Sequence, residues 1–120
     1  MGLDMYFYLE NKDTKEMIEY SYYRKFNALQ GYFIKNFDIQ NCEKLRITKS
    51  IIQHLHWILN EVKYSPEKAE QMLPVYQGPF FGSYEYDNIY RNHVQQAAQD
   101  IYHAQFIDFN KYHLYFTSNW

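Results

Sequence analysis

A chain of 120 residues with a net charge of −2 has neither the Lys and Arg excess of a nucleic-acid binder nor the acidic surplus of a DNA mimic. Its 47% hydrophobic content excludes a disordered tail, and the length suits one domain, residues 1–120, that buries about two-thirds of its unfolded surface. The outlier is the aromatic share of 21%, with 14 Tyr, 9 Phe and 2 Trp; tyrosine joins a large contact area to a polar tip at small entropic cost. Cys42 is the only cysteine, so the chain forms no internal disulfide and no cysteine-based zinc site by itself. Asp4 and Glu10 interrupt the first apolar run and no basic segment precedes it, which argues against a signal peptide. No stretch approaches the length of a transmembrane helix. The expected setting is a reducing cytosol.

Leu3-Asp4-Met5-Tyr6-Phe7-Tyr8-Leu9 is aromatic, lacks a helix-start signal and reads as a strand, with Leu3, Met5, Phe7 and Leu9 on one face and Asp4, Tyr6 and Tyr8 on the other. A polar turn over 11–15 leads to a short return strand over 17–20. Ser21 then offers a cap for a helix over 22–36, on which Tyr22, Phe26, Leu29 and Phe33 form one stripe. Gly31 in the middle of that helix implies close packing against it. Residues 38–43 form a polar connection and 44–47 a short strand. Thr48 caps the clearest helix, over 49–64, with Ile51, Ile52, Leu55, Ile58, Leu59 and Val62 as its buried stripe. Ser65-Pro66-Glu67 opens a short helix that must end before Pro74.

Residues 74–86 carry no regular period. Within them, two glycines and a proline bracket Phe80 and Phe81 in Gly78-Pro79-Phe80-Phe81-Gly82. Burying each phenylalanine is worth about 1.5–3 kcal/mol, so both rings are expected to pin a stiff loop that delivers Ser83, Glu85 and Asp87. Asp87 caps a last helix reaching about 106, with Tyr86, Ile89, Tyr90, His93, Val94, Ala97, Ala98, Ile101 and Tyr102 on its apolar side. Residues 112–117 alternate as a closing strand, and Trp120 is expected to dock. The pattern predicts an α+β fold: a small, mainly antiparallel sheet containing both termini, packed by about three main helices and a short one.

Gly2-Leu3-Asp4-Met5-Tyr6, Tyr23-Arg24-Lys25-Phe26-Asn27-Ala28-Leu29, Ala69-Glu70-Gln71-Met72-Leu73-Pro74, Phe80-Phe81-Gly82-Ser83-Tyr84-Glu85-Tyr86-Asp87 and the closing Thr117-Ser118-Asn119-Trp120 together resemble a family of small phage and prophage proteins. The chain departs from that family's pattern where Gln30 replaces a frequent histidine and Tyr23 a frequent tryptophan. A reaction that used that histidine would be lost here. The resemblance brings no activity with it; it implies a phage or mobile-element origin and action in a bacterial host cytoplasm.

The candidate polar site is Asp4, Arg24, Asn27, Ser83, Glu85 and Asp87. Arg24 suits a carboxylate or phosphate in bidentate geometry, and the acidic side chains suit a general base or a cation. The opposing reading is a network that fixes the loop to the first strand and to the helix bearing Arg24. Tyr84, Tyr86 and Tyr90, with Tyr76 and Trp57, either supply aromatic recognition or fill the core; for recognition, the scattered basic residues favour protein contact over nucleic acid. His54 and His56 point to different faces of a helix, and a zinc site from His93, Glu85 and His113 would need distant residues to converge. Cys42 lies in a polar loop without an activating neighbour and reads as a small buried residue and not as a nucleophile. No phosphate loop, dinucleotide fingerprint or nucleophile elbow is present. The leading expectation is a non-enzymatic protein, without metal or cofactor, that docks a host protein or complex through an aromatic and acidic surface over 83–90. An inhibitor of a bacterial defence system, of the anti-CRISPR kind, fits this description. The alternatives are a small enzyme or ligand-binding domain with a pocket of Asp4, Arg24, Asn27, Glu85 and Asp87, and a homo-oligomer assembled through aromatic patches.

Overall fold

The computed structural model describes residues 2–120. Four strands, β1 (Asp4–Asn11), β2 (Met17–Arg24), β3 (Lys44–Arg46) and β4 (Tyr112–Asn119), form an antiparallel sheet in the order β2-β1-β4-β3. Helices α1 (Asn27–Phe37), α2 (Lys49–Tyr64), α3 (Ala69–Met72) and α4 (Asn88–Ala104) follow the chain, with a 3-10 turn at Pro66–Lys68 ahead of α3. The fold is α+β, with strands close to both ends of the chain, as the pattern predicts.

Alternation decides which face of the sheet is covered. Met5 and Phe7 on β1 and Leu114 and Phe116 on β4 are fully buried, while the intervening Tyr6, Tyr8 and Tyr115 are only partly covered. Phe33 of α1 stacks on Phe116 with ring centroids 3.9 Å apart, and Phe7 lies 5.1 Å from Phe116. Thr48 caps α2 by accepting from Ile51 N at 3.3 Å, and Ile52, Leu55, Ile58, Leu59 and Val62 face the core. The polar turn between β1 and β2 is held by Asn11 Oδ1, which accepts from the backbone N–H groups of Asp13 and Thr14.

The sequence expectation fails between 17 and 26. Strand β2 runs on to Arg24 instead of ending at 20, and Ser21 caps nothing. Ser21, Tyr22, Tyr23 and Arg24 lie opposite Phe7, Tyr6, Met5 and Asp4, and this ladder overrides the local cap signal. Tyr22 therefore belongs to the outer face of the sheet and not to the stripe of Phe26, Leu29 and Phe33. Lys25, at φ 56, makes the break, and α1 starts at Asn27 without a side-chain cap. A bulge skips Tyr20 in the register and re-aims its side chain, so that its hydroxyl donates to the Asp100 carbonyl at 2.6 Å. Ile89 and Tyr102, expected on the apolar side of α4, are exposed. Trp120 docks as expected: its ring meets Phe81 edge-on at 6.0 Å and its backbone N–H donates to Asn41 Oδ1 at 3.0 Å. Among the described residues no helix is long and apolar enough to cross a membrane.

Candidate functional site

The irregular segment after α3 is held by side chains that answer its backbone groups. Asn27, at the start of α1 and only 3% exposed, donates from Nδ2 to the carbonyls of Phe81 (3.1 Å) and Ser83 (2.8 Å) and accepts at Oδ1 from Tyr76 N (3.0 Å). One carboxamide thus ties two stretches of loop to the helix, which satisfies groups that burial would otherwise leave unpaired. One turn further on, Gly31 gives the loop its space: a Cβ there would lie 2.7 Å from Tyr76 Cβ. Gly78 does the same for the anchor, since its Cβ would meet the Phe81 ring at 2.4 Å.

Three tyrosine hydroxyls complete the scaffold. Tyr84 donates to the Gly78 carbonyl at 3.0 Å, Tyr86 accepts from Val75 N at 3.2 Å, and Tyr90 donates to the Leu73 carbonyl at 2.7 Å. Burial raises the Tyr90 phenol well above its ordinary range. Asp87 caps α4 through Tyr90 N at 3.0 Å, and its second oxygen accepts from Ser83 Oγ at 3.5 Å. Ser83 Oγ in turn accepts from Glu85 N at 3.0 Å. The expected cap at Asp87 is therefore present.

The anchor is half of what the sequence led one to expect. Phe81 is 2% exposed, but Phe80 is 62% exposed. Phe80 adopts φ 58, a left-handed turn that sends neighbouring side chains in different directions, so only one of the two rings reaches the core.

Asn27, Ser83, Glu85, Asp87 and Tyr90 come together around a cavity of about 20 Å³, which Asp4 and Arg24 do not line. That space suits about one water. Asp4 and Arg24 form a separate group at the end of the β1–β2 ladder, and Arg24 is on a strand, not on the helix expected for it. Arg24 Nη1 lies 2.7 Å from Asp4 Oδ1, which also accepts from Tyr22 O–H at 2.5 Å. The Tyr22 hydrogen bond, then Arg24, holds the Asp4 carboxyl below its usual value. Lys25 stands between the two groups. Its N–H donates to the Leu3 carbonyl at 2.7 Å, and a Cβ at Gly82 would lie 3.0 Å from its own Cβ.

The polar residues of the expected pocket thus fall into two hydrogen-bonded sets. Among the described residues no three His, Cys, Asp or Glu side chains share a position that would hold a metal ion. His54 meets Tyr32 O–H at 2.9 Å and His56 meets Asn60 at 2.9 Å, on different sides of α2. His93 stacks on Phe26 at 4.8 Å, and burial lowers its pKa against the opposing pull of Asp87. Cys42 is exposed.

Two arrangements escaped the sequence reading. Tyr23 donates to the Asp100 carboxylate of α4, and burial first, then Asp100, raises the phenol far above its usual value. Separated by 77 positions, the pair leaves no local signal. Gln30 is 0% exposed, and neither atom of its amide has a hydrogen-bond partner among the described residues. A polar residue inside the stripe Phe26, Leu29, Phe33 was the only available hint. Compared with models of known protein families, with curated proteins and with solved structures, the chain finds no match in any of the three.

Proposed function

We propose that this chain is a non-enzymatic binding protein of phage or prophage origin. It docks a host protein or protein complex in the bacterial cytoplasm, and inhibits a bacterial defence system by doing so. The origin rests on the sequence resemblance, and the mode of action on one observation: Phe80 stands 62% exposed on a segment held from beneath by Phe81 and Asn27. Displaying a large ring on a stiff loop lowers the ordering cost of association, and such rings make strong interface anchors. Tyr84 and Ile89 are exposed as well, and Glu85 supplies an acidic group in the same stretch of chain. The engagement of Asp4, Arg24, Asn27 and Asp87 with neighbouring groups favours this reading over an enzyme, because the space that Asn27 and Asp87 share is only about 20 Å³ and Asp4 and Arg24 do not line it.

The test is affinity capture from a bacterial lysate with wild-type chain and with Phe80→Ala. The expected result is a specific host protein retained by the wild type and lost by a variant of unchanged melting temperature. Capture of no specific protein, or capture that ignores the substitution, overturns the assignment of this patch.

A further inference from the structure

A different part of the molecule carries a pocket that the loop surface does not use. It lies between α2 and α4 and is closed at one end by the 3-10 turn and α3, with a volume of about 290 Å³. Its walls are Val62, Pro66, Ala69, Val94 and the rings of Tyr86 and Tyr90. Both tyrosine hydroxyls are already engaged, one by Val75 N and one by the Leu73 carbonyl, so the rings are held in place and offer the pocket apolar surface. The polar lining residues are Lys63, Arg91 and Gln95, all exposed, and no carboxylate lines the space. Lys63 and Gln95 also border a neighbouring depression of about 380 Å³ along the same helix seam, so the cationic and amide groups sit where apolar space gives way to open solvent.

We propose that this pocket binds an amphipathic carboxylate, with its acyl chain or aryl ring among Val62, Ala69, Val94 and the two tyrosines and its anionic head at Lys63 and Arg91. A largely apolar cavity with a few polar groups is the usual form of a small-molecule site; here Arg91 is steadied by Asn88 Oδ1 at 2.6 Å and Lys63 Nζ rests 5.3 Å from the Tyr64 ring, so both cations turn to the head when it binds. Charge selects the head: two cations and no acid on the rim attract an anion and repel an amine. Volume limits the tail: about 290 Å³ lies at the lower end of the range usual for small-molecule sites, which suits a short acyl chain or a single ring. The assignment is independent of the loop surface around Phe80.

The probe is octanoate, titrated into the wild-type chain and followed by amide chemical shifts, with octylammonium as the control of equal tail and opposite charge. The expected result is saturable shifts at Ala69 and Val94 with octanoate and none with octylammonium. The exposed pair Lys63→Glu and Arg91→Glu, made together, is expected to leave the fold intact and to weaken octanoate by at least about tenfold, equivalent to about 1.4 kcal/mol. Filling the pocket by Ala69→Phe is expected to abolish the shifts; if that variant unfolds, the charge-reversed pair decides. Absence of saturable shifts at Ala69 and Val94, equal response to both amphiphiles, or an undiminished response in the charge-reversed pair overturns the proposal.

Discussion

Asn27 and Gln30 stand one turn apart on α1, both buried, and both carry a primary amide. Asn27 uses three hydrogen bonds to hold the loop at Tyr76, Phe81 and Ser83, whereas the Gln30 amide has no partner among the described residues. The same chemical group thus stabilises the fold at one position and weakens it at the other. What differs is the company: irregular backbone with unpaired groups at Asn27, and a helix stripe with apolar neighbours at Gln30. A buried amide contributes only when what surrounds it answers its donors and acceptor.

The comparison breaks most completely if the loop beneath Asn27 loses its ring. Phe81→Ala is expected to lower stability by about 3–5 kcal/mol, measured by denaturant titration; a loss below about 1 kcal/mol would mean that the loop does not depend on that anchor. Next comes Asn27→Ala, expected to destabilise by about 1–3 kcal/mol because it leaves the buried Phe81 carbonyl and the partly buried groups of Tyr76 and Ser83 without their partner. The same titration checks it, and hydrogen exchange should quicken at Tyr76 N. Gln30→Met, of similar shape, moves the other way: removing the orphan amide is expected to stabilise by about 1–2 kcal/mol. A destabilised Gln30→Met would show that the amide has an effective partner after all.

The rings around the start of α1 give a smaller, pH-dependent effect. His93 packs on Phe26, and burial puts its folded pKa below the unfolded reference of 6.5. Between those two values the unfolded chain binds more protons, so stability is full above pH 6.5 and declines as the pH falls through and below it. Thermal melts from pH 7.5 down to 5 (a range set by the reference histidine pKa of about 6.5) should show a decline that His93→Gln reduces. The smallest effect belongs to Phe80→Ala, expected within about 0.5 kcal/mol of wild type. A large loss there would place Phe80 in the core and undo its contrast with Phe81.

Much of this fold was legible because its signals are local. Thr48 and Asp87 cap the helices they precede, the 3.6-residue stripe of α2 matches its buried face, and Pro74 lies just beyond a helix that ends at Met72. The candidate site was legible in part. Asn27, Ser83, Glu85, Asp87 and Tyr90 do gather, because capping and loop chemistry are written in residue types. Asp4 and Arg24 do not line the space those residues share, because the β1–β2 register sets them opposite each other. Ser21 followed by an apolar stripe reads as a helix start, yet the ladder with β1 claims 21–24 first.

From its amino-acid order alone, then, this chain specified its helices α2 and α4, its strands β1 and β4 and the irregular character of residues 74–86, since caps, periodicity and turn residues act over a few neighbours. Only tertiary packing decided where β2 gives way to α1, which of Phe80 and Phe81 is covered, that Tyr23 meets Asp100, and that Asn27 finds partners while Gln30 does not. Each of those outcomes depends on a group far away in the chain, and burial gives such contacts their strength by removing the water that would otherwise satisfy the same atoms.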